Sequence, residues 1–172
     1  SQCIAYTCKK KTGKEAAFST NSDIYLYDIQ NHTTTNLTKG NKGYDINPCF
    51  TPDGKYMLWQ SMEHDGYESD KNRLMLLNLT TKEKRDLSVD TENNIDEFAL
   101  SADGQTVWAI IDEKATDQIF SINIENGTIT KLTTDTCDYT SVTDAGNYLI
   151  ATRMSMNAPE TTSICCASPS SR

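Results

Sequence analysis

The sequence has no long hydrophobic run, and its basic residues are outnumbered by its acidic ones, 16 against 24. No segment approaches the roughly 20 apolar residues of a membrane-spanning helix, so we do not expect a membrane as partner. A net charge of −8 argues against nucleic acid as a partner, because nucleic-acid binding requires a basic surface. The same charge favours solubility and a cationic ligand.

Aromatic residues are also scarce, at 8%, and hydrophobic residues make up only 37% of the chain. This is lean for one large core but sufficient for a series of thin repeated layers. The length of 172 residues suits one domain or a piece of a larger protein. The opening "SQCIAYTC" has the pattern of a strand and not of a signal peptide, so we expect an intracellular protein or one whose leader has been removed.

The six cysteines follow no zinc-binding spacing, and neither a metal nor another cofactor is expected. Their even number is compatible with disulfide bonds. The isolated positions of Cys49 and Cys137 instead favour buried free thiols. Both alternatives stay open from the sequence.

A short segment recurs three times along the chain. The copies, in chain order, are "FTPDGKYMLWQ", "LSADGQTVWAI" and "VTDAGNYLIAT". Each contains the end of one strand, a polar turn with glycine, and a second strand with alternating apolar residues. The glycine predicts a tight hairpin turn, because glycine readily adopts positive φ. Gly54 and Gly104 are 50 residues apart, and Gly104 and Gly146 are 42 apart.

A second recurring segment lies between these copies. It occurs as "DIYLYDIQNHTTTNLT", "RLMLLNLTTKEKRDLS" and "QIFSINIENGTITKLT". Each reads as a strand, a short polar turn and a polar outer strand, and the alternation has period two, which argues against a helical repeat. Units of this length with four strands each are typical of propeller blades. The sequence therefore predicts an all-β fold, a partial β-propeller of about three four-stranded antiparallel blades.

The register of the repeats predicts the domain boundaries. We expect a propeller fragment over residues 1–156 and an irregular tail over 157–172, where "TTSIC" could instead add a strand. Within the fragment, the predicted units are a partial blade at 1–38, full blades at 47–88 and 95–133, and a partial blade at 137–156. An open piece would expose two blade faces, which predicts a homodimer through the exposed blade edges, an exchange of strands, or a place in a larger ring.

Three stretches carry a resemblance to known families. The "FTPDGK" turn and the strand after it resemble TolB-like propeller repeats. Residues 59–79, "WQSMEHDGYESDKNRLMLLNL", resemble the propeller domain of bacterial serine peptidases of the prolyl oligopeptidase family, in the dipeptidyl-peptidase and acylaminoacyl-peptidase branch. "NIDEFALSADGQTVW" in the next blade is similar to the same branch. His64 stands where Arg is common and Ala102 where Pro is common, and neither departure affects the predicted fold.

The resemblance implies a propeller that lies over an α/β-hydrolase domain with Ser, Asp and His, limits access to it, and helps to hold the substrate's N-terminus. No G-x-S-x-G nucleophile motif occurs in this sequence, and no catalytic residue is expected here. We therefore expect a non-catalytic N-terminal propeller fragment of a serine exopeptidase, whose peptide substrate is processed by the parent hydrolase domain. The resemblance also implies a periplasmic or secreted location.

The acidic stretch "SMEHDGYESDKNR" connects the second and third strands of its blade, and the next blade has a shorter connection. With the resemblance, Glu63 and Glu68, and then Asp65, are the residues expected to bind a substrate α-amine through charge-assisted hydrogen bonds. Asp70 is expected to pair with Lys71 or Arg73, or to cap a turn. The alternative is a solvated loop without a ligand, and the spacing does not fit an EF-hand calcium site.

Other features have structural interpretations. Trp59 and Trp108 occupy equivalent strand positions and are expected in the core between blades, although an aromatic ligand platform is the alternative. The basic run 9–14 is expected to be a solvated hairpin tip, and Asp96 is expected to bind backbone amides near the hub. The alternative function is a TolB-like propeller that serves as a protein-interaction module, and a glycan-processing propeller is weaker still.

Overall fold

The structure is a computed structural model that describes residues 2–67 and 69–167, with side chains described up to Ile164. Within these described residues there are fourteen strands and one short helix. In chain order these are β1 (Cys3–Cys8), α1 (Gly13–Phe18), β2 (Asp23–Asp28), β3 (Thr33–Asn36), β4 (Asp45–Phe50), β5 (Tyr56–Ser61), β6 (Arg73–Asn78), β7 (Lys84–Asp86), β8 (Ile95–Leu100), β9 (Thr106–Asp112), β10 (Asp117–Asn123), β11 (Ile129–Lys131), β12 (Asp138–Asp144), β13 (Tyr148–Ser155) and β14 (Ala158–Ala167).

The strands form four sheets, each built from consecutive strands. Their orders are β1-β2-β3, β4-β5-β6-β7, β8-β9-β10-β11 and β12-β13-β14, and all paired strands in them are antiparallel. A meander of four antiparallel strands is the blade unit of a propeller. The all-β prediction is confirmed, and the two four-stranded sheets begin at Asp45 and Ile95, close to the predicted starts of the full blades.

The end of the chain differs from the predicted irregular tail. Strand β14 runs from Ala158 to Ala167 and pairs with β13 along most of its length, with two shifts of register. Several β-branched residues in this stretch suit a strand. Pro159 stands near the start of β14, where proline is tolerated. The sequence contained this strand as "TTSIC", and the structure extends it in both directions; residues 168–172 lie outside the described part.

The glycines of the recurring turns adopt the backbone conformation that the sequence predicted. Gly54 and Gly104 have φ of 69° and 71°, in the left-handed region. At Gly104 a β-carbon would also lie 2.7 Å from Cδ of Pro52. Asp103 supports this turn by accepting hydrogen bonds from the Ser101 hydroxyl and the Gln105 amide.

The described chain divides into two compact units. The first comprises residues 1–50 and 54–86, and its buried core contains Ile24, Met57, Trp59 and Leu77. The second comprises residues 51–53 and the described chain from Leu87 onward. Its core contains the buried side chains Trp108, Ile110, Ile119, Tyr139, Val142, Leu149 and Ala151. Both tryptophans are at most 2% exposed, which confirms the core interpretation over the ligand platform.

Two further features concern cysteines and the basic run. Cys3, Cys8, Cys49 and Cys137 are half-buried free thiols, while the side chains of the remaining two lie outside the described part. The basic run 9–14 lies in the connection of the antiparallel pair β1–β2 and is largely exposed, as expected for a hairpin tip; the same connection also contains helix α1. Its sequence, "GKEAAF", has good helix formers at its centre, and the Ser19 amide donates to the Glu15 carbonyl at the end of the helix.

Candidate functional site

The candidate site is formed by two loops of the first unit. The α1 loop, residues 9–22, connects β1 to β2, and the acidic loop, residues 62–72, connects β5 to β6. The strands bring the loops together, because the Asp45 amide at the start of β4 donates to the Ser22 carbonyl beside the start of β2. The acidic loop therefore occupies the connection that the sequence predicted, and its neighbour is the loop that contains the unpredicted helix.

Asp65 joins the two loops. One carboxylate oxygen accepts hydrogen bonds from the Ser19 hydroxyl at 2.6 Å and the Thr20 amide at 2.8 Å. The other oxygen lies 2.9 Å from the Lys11 ammonium. The hydrogen bond from Ser19, followed by that from Lys11, lowers the pKa of Asp65 well below its ordinary range. Asp65 thus stays ionised and holds the loops together, while its predicted contact with an amine stays a prediction.

A hydrogen bond that does not involve Asp65 also joins the two loops. The Gly66 amide donates to the Thr20 hydroxyl at 2.9 Å, directly beside the Asp65 contact. The α1 loop thus donates hydrogen bonds to Asp65, and the acidic loop donates one back to Thr20. The pairing of Gly66 with Thr20 was not identifiable from the sequence, because the two residues are 46 positions apart.

Asp70 caps a turn within the acidic loop. Its carboxylate accepts hydrogen bonds from the amides of Glu63 at 3.1 Å and His64 at 2.7 Å, and it contacts the His64 ring nitrogen Nδ1 at 2.8 Å. Desolvation by burial would raise the pKa of Asp70, but the hydrogen bonds from the backbone and ring of His64 outweigh it and lower the pKa. The turn-capping role was one of the roles expected for Asp70.

Glu63 presents its carboxylate to solvent. The side chain is 66% exposed, and its charged partner is Arg73, whose Nη1 lies 3.6 Å from Oε2. The pair is long and its carboxylate faces solvent while Arg73 is half-buried, so it contributes little to stability and leaves the carboxylate accessible to a ligand ammonium. Glu68, the other residue first expected to bind the amine, lies outside the described residues.

A cleft of about 630 Å³ lies between the two loops and the strands below them. It is lined by Lys9, Ala17, Ser19, Thr20, Ser22, Tyr44, Ile46, Met62 and Tyr67. Met62, which lines the cleft, is directly followed in the chain by the exposed Glu63. The wall depends on Gly43, where a β-carbon would lie 2.4 Å from the Met62 carbonyl oxygen.

Asp45, at the start of β4, is a buried carboxylate that directly follows Tyr44 of the cleft lining. Asp45 is 1% exposed and accepts hydrogen bonds from Trp59 Nε1 at 2.8 Å and from Asn41 Nδ2 at 3.1 Å. Burial raises the pKa of Asp45, although the hydrogen bonds that it accepts act in the opposite direction. The sequence analysis did not single out Asp45. The available signal was its position at the start of a strand that pairs with the strand containing Trp59.

Asp96 and the basic run 9–14 were also singled out in the sequence. Burial, followed by the nearby charges of Asp117 and Asp112, raises the pKa of Asp96. In the basic run, Lys9 and Lys11 bind groups of the α1 loop and Asp65. Between residues 2 and 164, Glu68 apart, no three His, Cys, Asp or Glu side chains cluster as metal ligands would. No helix within the described ranges is long and apolar enough to cross a membrane.

Four successive antiparallel meanders identify the chain as part of a β-propeller. Solved structures with the same fold include TolB from Acinetobacter baumannii, with a TM-score of 0.66 and 20% identity over 95% of this chain and 38% of that one. The Pyrococcus horikoshii acylaminoacyl peptidase gives a TM-score of 0.71 and 15% identity over 95% of this chain and 24% of that one. At these identities the likeness establishes the fold alone.

The sequence relatives are more specific. The chain is 47% identical to dipeptidyl-peptidase 5 of Porphyromonas endodontalis over 91% of its own length. It is 35% identical to dipeptidyl-peptidase 5 of Porphyromonas gingivalis over 92% of its length. The chain is thus a homologue of the dipeptidyl-peptidase 5 proteins, and the predicted resemblance is confirmed. It spans 23% of the length of each relative, and no family model matches it.

Proposed function

We propose that this chain is the N-terminal propeller part of a dipeptidyl-peptidase-like serine exopeptidase, in which it limits access to a hydrolase domain and helps to bind the substrate's N-terminus. Peptide hydrolysis belongs to that hydrolase domain. The proposal is supported by the two relatives named dipeptidyl-peptidase 5, of which this chain covers 23% each.

One observation carries the binding role: the exposed Glu63 carboxylate directly follows Met62, a residue of the cleft lining, on a loop that Asp65 and Asp70 hold in place. A dipeptidyl-peptidase must recognise a free α-amine. A carboxylate that is paired weakly in the free protein can accept charge-assisted hydrogen bonds from an ammonium group. Glu68, in the same loop, is proposed as a second carboxylate, and Asp65 as a further contact only if it leaves Ser19.

The test is the variant Glu63→Gln in the full-length protein that contains this chain. We expect kcat/KM for dipeptide substrates with a free N-terminus to fall by roughly tenfold or more, because a hydrogen bond to a charged group is worth about 1.5–3 kcal/mol. Hydrolysis of N-acetylated substrates should change little. Glu83→Gln, in the exposed turn between β6 and β7, is the matched control. An unchanged KM for free-amine substrates would remove the role of Glu63.

The second candidate function is a TolB-like protein-interaction module, favoured by the fold match with TolB. The DNA downstream of the region encoding this chain distinguishes the two. A following G-x-S-x-G motif with Asp and His supports the peptidase, and a stop codon or an unrelated domain supports the interaction module.

Assembly and location are further parts of the proposal. Apolar side chains are exposed on β1 and β14, the outer strands of their sheets, among them Ile4, Tyr6 and Ile164. We propose that two copies of the separate chain form a homodimer through these blade edges, which light scattering would detect as a doubled mass. A monomer at millimolar concentration would contradict it. The periplasmic or secreted location rests on the resemblance, and cell fractionation with an antibody to this chain tests it.

A further inference from the structure

We infer that a separate cavity in the second compact unit binds an arginine side chain of a peptide segment, independently of the proposed function. The cavity has a volume of about 360 Å³, within the usual range of small-ligand sites, about 300–1,000 Å³. It lies between the loop that precedes β8 and the strands β9, β10 and β11. All of its lining residues belong to the second unit.

The floor of this cavity is apolar. Ile111 and Phe120 line it and are at most 8% exposed, and Ile129 in the same lining is half-buried. A hydrocarbon group placed on this floor is removed from water, which favours its binding. The methylene stem of an arginine side chain is such a group, because arginine buries its stem along apolar surface while its charged end stays in a polar environment.

The rim of the cavity is acidic. Asp90 and Glu113 contribute carboxylates from two different segments of the chain. The hydrogen bond from Lys131 lowers the pKa of Glu113, so this carboxylate is ionised at neutral pH. Asp90 is exposed, and no cation of the described residues lies within ion-pair distance of it. Two carboxylates above an apolar floor suit a guanidinium group, which presents its N–H donors in one plane.

A lysine of the chain already makes part of this interaction. The Lys131 ammonium forms an ion pair with Glu113 and lies 5.7 Å from the centroid of the Phe120 ring. An aromatic ring and a carboxylate of the cavity lining thus hold a cation. Arginine stacks on aromatic rings and binds carboxylates through two parallel hydrogen bonds, which the lysine ammonium cannot do. A ligand arginine can therefore displace Lys131, which acts as an internal competitor.

A neighbouring groove favours a peptide over a free cation as the ligand. The groove has a volume of about 270 Å³ and shares Thr128 with the cavity. Its lining consists of hydroxyl and amide side chains, among them Ser121, Asn123 and Thr130. Such side chains both donate and accept hydrogen bonds, as the N–H and C=O groups of a peptide require. The arginine side chain would occupy the cavity, and the adjoining peptide backbone would lie along this groove.

The test is isothermal titration calorimetry of the full-length protein that contains this chain, with short N-acetylated peptides. The probes are Ac-Thr-Arg-Thr-NH₂, the same peptide with citrulline, which has the shape of arginine without its charge, and the same peptide with lysine. Acetylation removes the free amine, so the proposed amine site does not contribute. We expect the arginine peptide to bind about fivefold more tightly than either of the others, or better. Equal binding of the arginine peptide and either other peptide overturns the inference.

Charge variants locate the binding in this cavity. Glu113→Gln should weaken the arginine peptide by about fivefold or more. Glu92→Gln is the matched control, because Glu92 lies in the same loop as Asp90 but does not line the cavity. Lys131→Ala should tighten the arginine peptide because it removes the competing cation, whereas Lys84→Ala, on the exposed β7, should leave binding nearly unchanged. Equal effects within either pair would show general charge attraction and overturn the site.

A variant that fills the cavity separates the site from the fold. Thr128 is exposed and lines the cavity, and its hydrogen bonds with Asn123 and Asn126 use its backbone, so Thr128→Trp adds bulk without disturbing the turn. We expect it to abolish the preference for arginine over citrulline and to preserve the circular dichroism spectrum. Glu125→Trp, exposed in the same turn and outside the lining, should keep the preference. A preference that survives Thr128→Trp, or one that Glu63→Gln abolishes, overturns the assignment.

Discussion

The hydroxyl of Ser19 donates a hydrogen bond of 2.6 Å to Asp65, a residue 46 positions later in the chain. This contact joins the α1 loop to the acidic loop, and both loops contribute residues to the lining of the cleft. Asp65, which the sequence analysis expected to bind a ligand, thus has a structural partner in the connection between β1 and β2. The exposed Glu63 of the same loop has only the weak partner Arg73.

The junction at Asp65 should be sensitive to mutation. Asp65→Ala removes the acceptor of Ser19, Thr20 and Lys11, so we expect faster hydrogen exchange at the amides of Thr20 and Gly66. Strand amides of β5 should keep their protection. Glu92→Gln, at an exposed position, is the control. Unchanged exchange at Thr20 would show that the loops are held by other contacts.

The same junction predicts a pH dependence. Because the pKa of Asp65 is lowered in the folded chain, its contribution to stability is present above the ordinary value near 3.8 and is lost as the pH falls through the folded pKa. Exchange at the Thr20 amide should therefore report a closed junction at pH 5 and an opening only under strong acid. An opening between pH 4 and 5 would contradict the lowered pKa.

The buried Asp45 predicts the opposite sign. Its folded pKa is raised above the ordinary value near 3.8, so the folded state binds the proton more tightly than the unfolded state. The free energy of unfolding should therefore decrease as the pH rises through the interval between these two pKa values. Urea unfolding of the wild type and of Asp45→Asn between pH 3 and 8 measures it. The difference between the two curves should carry this slope, and a difference that does not change with pH would contradict it.

Two turn glycines form a matched pair. Gly54→Ala places a β-carbon at a φ of 69° with nothing within 4 Å, and should cost about 1–2 kcal/mol from the left-handed backbone alone. Gly104→Ala has a similar φ of 71° and an additional approach of 2.7 Å to Cδ of Pro52. We expect it to cost roughly 1–3 kcal/mol more, as overpacking does. Equal changes in the free energy of unfolding would show that Pro52 moves away freely.

Gly43 should be the most sensitive position near the cleft. A β-carbon there would lie 2.4 Å from the Met62 carbonyl oxygen, and a backbone atom cannot move away as a side-chain end can. Gly43→Ala should therefore displace residues 62–63 and shift the Met62 methyl signal in NMR spectra. Gly40→Ala is the comparison, because it has no neighbour within 4 Å, although its φ of 104° carries its own strain. An unshifted Met62 signal would contradict the close approach.

The sequence predicted most of the fold because period-two alternation and turn glycines are local signals. Gly54, Gly104 and Gly146 mark equivalent hairpins, and all three have positive φ in the structure. The end of the chain was predicted less well, because Pro159 and many small polar residues resemble a tail unless the pairing with β13 is known.

The candidate site was predicted only in part. The position of the acidic loop followed from the repeat alignment, and the turn-capping role of Asp70 is a local effect. The contact of Asp65 with Ser19 depends on how two distant segments meet, for which no local signal exists, whereas helix α1 and the buried Asp45 had weak local signals that the sequence analysis did not use.

The junction between the two loops also has an evolutionary consequence. Asp65 and Gly66 are hydrogen-bonded to Ser19 and Thr20. A change in the length of either loop would therefore separate these residues and break the hydrogen bonds. Homologous chains that insert or delete residues in the acidic loop should therefore carry a compensating change between β1 and β2. The two segments would be inherited as a pair although nearly fifty residues separate them.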